Sequence, residues 1–209
     1  MIADGRLPAH RVGHQYVLDA AAVDRFSREQ RMRGRPLNSA NAWALLAVLA
    51  GLPEERALSD RPMRSRKRVR SLLNEGAEAV VTALLRSQPR AALHPWRVLP
   101  SDADGLLEEP RLIKTGLSAN AKGIDVRYQP RRDGVDAYVS RSDLRSLERQ
   151  LRPIENSADT NLLLRVPEGA DWILGEPIAP LSVIGADLLA HGDARVARAG
   201  RHAVERLVR

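Results

Sequence analysis

Residues 161–167 read NLLLRVP, four apolar side chains interrupted by one arginine and closed by proline, which is the pattern of a buried strand. Reading outward from it settles the rest of this half of the chain. On its N-terminal side, RLIKTG (111–116), DVRYQ (125–129) and DAYVS (136–140) are short β-prone runs separated by glycine- or proline-bearing turns. Ser140 is placed to cap an amphipathic helix, RSDLRSLERQL (141–151). On the C-terminal side, Leu181–Ala190 and Asp193–Leu207 read as two helices joined by the turn HGD, with Asp193 as N-cap. AEAVVTALLRSQ (77–88) is an apolar-faced helix at the front of this region. Strands and helices in this order predict an α+β domain over residues 77–209 that ends in a helical hairpin.

Further upstream the texture changes. SANAWALLAVLAG (39–51) is a helix that is apolar nearly all round and must be buried against something. LPEERALSDRP (52–62) is a loop or short turn. Residues 62–75 form a basic helix with Val69, Leu72 and Leu73 on one side and Arg64, Lys67 and Arg68 on another. At the front of the chain, Arg6–Leu18 alternates as a hairpin with Gly13-His14 at its turn. Asp19 then caps a helix through about Arg28, with Ala22, Val23 and Phe26 on one face. The expected organisation is therefore a hairpin-plus-helix module at 1–31, a basic helical linker region at 32–76 and the α+β domain at 77–209.

The totals limit the classes of function. The longest apolar run, Ala42–Ala50, is too short for a membrane span, and no basic-then-apolar leader opens the chain. With no cysteine there are no disulfides and no thiolate metal sites. These features predict a soluble protein of the cytoplasm. The net charge is +7, carried by 30 arginines and only three lysines. Its distribution is more telling than its size. Residues 25–70 hold twelve basic and four acidic groups, whereas residues 71–209 hold nineteen of each. An excess concentrated in one stretch suits a nucleic-acid-facing segment; a solvated linker is the competing reading for RMRGRP (31–36). Aromatic content of 3% leaves no stacking platform for single-stranded nucleic acid.

Catalytic patterns fail on their own chemistry. GLSANAKGIDVR (116–127) approaches the Gly-Ser and paired-carboxylate pattern of a nucleotidyltransferase through Gly116, Ser118 and Asp125. The second carboxylate position is Arg127, however, whose charge would repel the metal. Arg195 and His202 have the R-x6-H spacing of some ribonucleases, which carries little weight among 30 arginines and five histidines. His10 and His14 share the hairpin without a third ligand nearby. No phosphate-binding glycine loop, G-x-S-x-G or H-E-x-x-H occurs. The expectation is a non-enzymatic protein without cofactor or metal.

Two resemblances give this expectation a direction. IADGRLPAHRVGHQYVLDAAAVDRF (2–26) resembles the second half of the excisionase/MerR-type winged helix-turn-helix, whose wing has the form LPA-x-R-V-G-x-x-Y-V-L and is followed by an Asp-capped helix. The resemblance implies wing contacts to DNA from Arg6, Arg11, His14 and Gln15. In that family a recognition helix precedes the wing; Ile2–Asp4 match only its last turn, so we expect the reading frame to begin further upstream. RGRP (33–36) also looks like an AT-hook core, which adds Arg33 and Arg35 as minor-groove or phosphate contacts beside Arg64, Lys67 and Arg68; an ordinary linker is the competing reading.

The second resemblance lies in DLL-x-x-GD-x-R-x-x-x-AG, carried by Asp187, Leu188, Leu189, Gly192, Asp193, Arg195, Ala199 and Gly200. It is similar to the C-terminal region of bacterial AbiEi-type antitoxins and related transcriptional regulators. That resemblance implies an autorepressor of a toxin–antitoxin pair, with double-stranded DNA and a nucleotidyltransferase-type toxin as partners, and a homodimer as its working form. A stand-alone DNA-binding regulator without a toxin is the alternative. Read from the residues alone, the same motif builds a helical hairpin. Gly192-Asp193 make the turn and cap, and Arg195 is within reach of Asp193 or Asp187.

Overall fold

The computed structural model describes residues 9–12, 15–18, 36–119, 124, 134–155 and 159–208. The chain divides into two compact units, residues 1–35 and residues 36–209.

In the first unit, β1 (Ala9–Val12) and β2 (Gln15–Leu18) pair antiparallel. Ala9 is opposite Leu18 and Val12 opposite Gln15, so two residues, 13 and 14, connect the strands. The pairing is that of the hairpin expected over Arg6–Leu18; Gly13 and His14, its expected turn, lie outside the described residues. The helix expected over Asp19–Arg28 falls outside the described residues.

The second unit is an α+β fold whose described elements are α1 (Ser39–Leu49), α2 (Glu54–Ala57), α3 (Met63–Glu75), α4 (Ala77–Leu85), β3 (Ala91–Arg97), α5 (Pro100–Leu106), β4 (Ile113–Lys114), β5 (Val135–Tyr138), α6 (Arg141–Leu151), β6 (Ile154–Glu155), β7 (Leu162–Pro167), α7 (Leu181–Leu189) and α8 (Ala194–Leu207). The strands form one sheet in the order β4-β5-β7-β3-β6. Only the β5–β7 pair is parallel; the other neighbours run antiparallel. NLLLRVP thus supplies the middle strand. DAYVS and RLIKTG supply two others, and DVRYQ lies outside the described residues.

The alternation along β7 makes the two sides of the sheet chemically different. Leu162, Leu164 and Val166 turn to one side, where they pack with Trp96, Val135, Ala137, Leu144 and Leu147 beneath α5 and α6. The other side carries the larger core, in which α1, α3, α4, α7 and α8 contribute Trp43, Leu46, Val69, Val80, Ile184 and Val204. Trp43 sits edge-on to Tyr138, with ring centroids 5.7 Å apart, and its Nε1 donates to the Arg90 carbonyl at 2.8 Å.

The helix starts follow their caps. Asn38 accepts the Asn41 N–H at 2.8 Å, Ser140 accepts the Asp143 N–H at 3.1 Å, and Asp193 accepts those of Arg195 and Val196 at 2.7 and 3.3 Å. The closing hairpin of α7 and α8 depends on close backbone approach. A Cβ on Gly200 would lie 2.3 Å from the Leu189 nitrogen and 2.6 Å from the Gly185 carbonyl oxygen, so the sequence can place only glycine there.

Two features depart from the sequence reading. Residues 36–76 are not a linker, because their apolar faces complete the core of residues 77–209. Ser182 on α7 donates to the Leu46 carbonyl at 2.8 Å, and the Gln88 N–H donates to the Leu37 carbonyl at 2.8 Å. Five of the seven basic residues of 36–76, Arg64, Arg66, Lys67, Arg68 and Arg70, lie on α3 outside its buried Val69 and Leu72, while the all-round apolar α1 is buried as its composition requires. Second, β3 carries no clear strand signature in sequence. His94 and Pro95 interrupt AALHPWR, and Pro95 is tolerated because β6 pairs only with Trp96 and Arg97, leaving β3 an open edge there.

Candidate nucleic-acid interface

The residues expected to meet DNA fall into three sets. Arg6, His14, Arg33 and Arg35 lie outside the described residues. Arg11 and Gln15 occupy neighbouring strands of the hairpin, with Arg11 opposite Tyr16 and Gln15 opposite Val12. Arg64, Lys67 and Arg68 lie together on α3.

On α3 the helical repeat separates two tasks. Val69 and Leu72 enter the core, and this apolar stripe holds the helix on α1 and α4. The cations around the remaining face are not equivalent. Arg66 turns back onto the preceding loop, donating to the Ser59 carbonyl at 2.6 Å and to the Arg61 carbonyl at 2.8 Å. Arg70 forms an ion pair with Glu54 on α2. Arg64, Lys67 and Arg68 are exposed, and among the described residues no acidic side chain pairs with them. Arg64 and Arg68 are one turn apart, so their repulsion costs a few tenths of a kcal/mol, on the order of 0.2–0.5. A polyanion seated on this face would remove that cost, and one strand of a duplex offers a phosphate every ~3.4 Å of its axis.

The structure also assembles a polar group that no motif announced. Asp187 of α7 is almost fully buried, 4% exposed, on the side of the sheet that carries the larger core. It accepts from Thr115 Oγ1 at 2.7 Å, Arg90 Nη2 at 2.9 Å and the Tyr138 hydroxyl at 3.1 Å, with Arg165 Nη1 3.7 Å away. Arg165, on β7, grips Asp136 of β5 in a two-pronged pair, Nε to Oδ1 at 2.6 Å and Nη2 to Oδ2 at 2.9 Å. Two carboxylates thus face two guanidinium groups, and the tyrosine and threonine hydroxyls add donors to Asp187, while Arg90 Nε is buried without a hydrogen-bond partner among the described residues.

Burial raises the Asp136 carboxyl, and Arg165 opposes that shift. Burial works against the charge on Arg165, but Asp187 and Asp136 outweigh it and hold the guanidinium charged. Burial, then the neighbouring Asp187 charge, drives the Tyr138 hydroxyl well above its ordinary range, so it stays protonated as a donor. The group clamps α7 to the sheet, joining residues as far as 97 positions apart.

This arrangement reassigns several sequence candidates. Asp187 is committed to Arg90, Thr115, Tyr138 and Arg165, so the Arg195–Asp187 pairing considered from sequence does not form; the Arg195 backbone N–H bonds Asp193 instead. Gly116 and Ser118 serve the same clamp. Gly116 has φ +48°, and a Cβ there would lie 2.2 Å from Asp136 Oδ2. Ser118 Oγ accepts the Asp136 N–H at 2.7 Å. Asp125 is outside the described residues, and His202 is exposed on α8. No group of three or more metal-binding side chains occurs among the described residues, and no described helix is long and apolar enough to cross a membrane.

The fold and this face define a class in physical terms: an α+β protein with a mixed five-stranded sheet that presents an unpaired basic helix face. Comparison of the chain with protein-family models, with curated proteins and with solved structures finds no match to any of them.

Proposed function

We propose that this chain is a DNA-binding regulator without catalytic activity, which holds duplex DNA through the exposed face of α3 and through the β1–β2 wing. The observation that carries this reading is the division of labour on α3. Arg66 and Arg70 are used within the protein, whereas Arg64, Lys67 and Arg68 face solvent with no acidic partner among the described residues. Exposed like charges kept one turn apart on a helix favour a polyanionic partner. The antiparallel register of the hairpin, with its two-residue connection, agrees with a wing that places Arg11 and Gln15 near a phosphate backbone.

The AbiEi-like resemblance of residues 187–200 extends the proposal to an antitoxin that represses its own operon in the cytoplasm and counters a nucleotidyltransferase-type toxin. The residues of that motif have work within the fold, as clamp, cap and helix contact, so a toxin-neutralising role belongs to the domain they build.

The DNA reading is tested by titrating the protein into labelled promoter DNA from its own operon and into a scrambled control, at low and physiological salt. Tighter binding to the promoter is expected. Equal binding to both, abolished by salt, would reduce the role to phosphate attraction, and no binding to either would refute it. The antitoxin reading is tested by expressing the neighbouring toxin gene with and without this chain. Rescue of growth is expected, and continued lethality would overturn it.

A further inference from the structure

A second basic face lies on the other side of the sheet, on α6. Leu144 and Leu147 fix that helix by entering the smaller core, and Leu151 packs against it. On the solvent side, Arg141, Arg145 and Arg149 follow at spacings of four residues, which places them along one flank, and Arg152 follows directly after the helix as its left-handed C-cap. All four are exposed, and among the described residues none makes an ion pair with a carboxylate; Arg149 Nε donates to the Arg145 carbonyl at 3.2 Å, which leaves its two terminal nitrogens facing outward. Net charge along the chain conceals this stripe, because residues 71–209 balance overall; the helical repeat collects Arg141, Arg145 and Arg149, with Arg152 at the end of the helix. The helix holds them at a cost. Arg141 and Arg145, and Arg145 and Arg149, repel one turn apart, and Arg141 stands at the positive end of the helix dipole.

We infer that this flank of α6 is a second phosphate-binding surface, which takes the backbone of a nucleic-acid segment other than one held at α3. From Arg141 to Arg149 the stripe spans about 12 Å of helix axis, long enough to face successive phosphates of one strand. Arginine is the cation best suited to two-pronged phosphate contact. The exposed positions of α6 contain no apolar side chain, whereas a protein partner would normally need an apolar centre to its interface. One acidic residue, Glu148, lies within the stripe and is exposed, without an ion pair to Arg145 or Arg152. The cores beneath α3 and α6 lie on opposite sides of the sheet, so a straight duplex on one face does not reach the other. The α6 surface is a separate assignment and does not depend on the reading of α3.

The test uses the full chain and a labelled duplex of arbitrary sequence, titrated over a range of salt. In the R64Q/K67Q/R68Q background, adding R141Q/R145Q/R149Q/R152Q is expected to flatten the slope of log affinity against log salt by about 2 to 4, since each phosphate no longer neutralised removes roughly 0.9. E148Q in the same background is expected to tighten binding by about twofold, the size of a modest exposed charge interaction. An unchanged slope after the four substitutions would overturn the inference. So would loss of binding to a poly-glutamate peptide with duplex binding intact, because the surface would then belong to an acidic protein. If the quadruple variant melts early, R145Q and R149Q tested singly carry the same expectation, each shifting the slope by roughly 0.9. A flattening caused by the α6 substitutions but not by those on α3 would support this surface and refute the placement of DNA at α3. The reverse pattern would do the opposite.

Discussion

The Asp187 clamp and the outer face of α3 handle charge in opposite ways. In the clamp, two carboxylates and two guanidinium groups are largely shielded from solvent, and each carboxylate is met by side-chain donors drawn from distant parts of the chain. On α3, three cations stand in solvent with no acidic partner among the described residues. The difference shows where function is to be sought. A polar group that is already satisfied internally supports the fold, whereas charge that the fold leaves unmatched is available to a partner.

Substitutions can break this contrast, starting with those of largest effect. Gly200→Ala forces a Cβ into the backbone of α7, and a loss of about 4 kcal/mol or more, or of cooperative unfolding altogether, is expected in a urea melt. Asp187→Ala strands Arg90 and Arg165 without a shared carboxylate, and a loss of about 3–5 kcal/mol is expected in the same measurement. If the D187A protein unfolds no earlier than wild type, the contrast fails from its buried side.

R64Q/K67Q/R68Q is the complementary case. Its stability should stay within about 0.5 kcal/mol of wild type, as for other surface substitutions. Asp193→Ala, which removes the cap of α8, is expected to cost less than either clamp substitution and more than this triple variant. Accepting the Arg195 and Val196 N–H groups lowers the Asp193 carboxyl below its ordinary 3.8. A lowered carboxyl contributes stability that is present above the unfolded-state value and fades as pH falls through the folded one. The gap in melting temperature between wild type and D193A should therefore persist at neutral pH and close as the pH drops below that of the free side chain. A gap that survives deep acidification would show that the cap acts through something other than its charge.

Much of the fold was legible because its signals are local. Ser140 and Asp193 cap the helices they were expected to start, and LLLRV alternates as a strand with one apolar side. β3 was hidden by His94 and Pro95, whose tolerance depends on how short β6 is, a fact about another segment. The clamp was hidden for the same reason: Arg165 and Asp136 are 29 positions apart and Arg90 and Asp187 97, so no spacing rule links them. Arg64, Lys67 and Arg68 were legible as one face of a helix. What sequence could not supply was that Arg66 and Arg70 beside them are used internally, since their partners are backbone carbonyls and Glu54 brought near by folding.

The most direct measurement is the salt dependence of duplex binding by wild type and by R64Q/K67Q/R68Q, on protein confirmed to melt alike. If α3 holds phosphates, the triple variant binds more weakly and its slope of log affinity against log salt is shallower by about 2 to 3, with roughly 0.9 for each phosphate that it no longer neutralises. Equal slopes and equal affinities would contradict the assignment, and the unmatched charge on α3 would then be no more than a solvated surface.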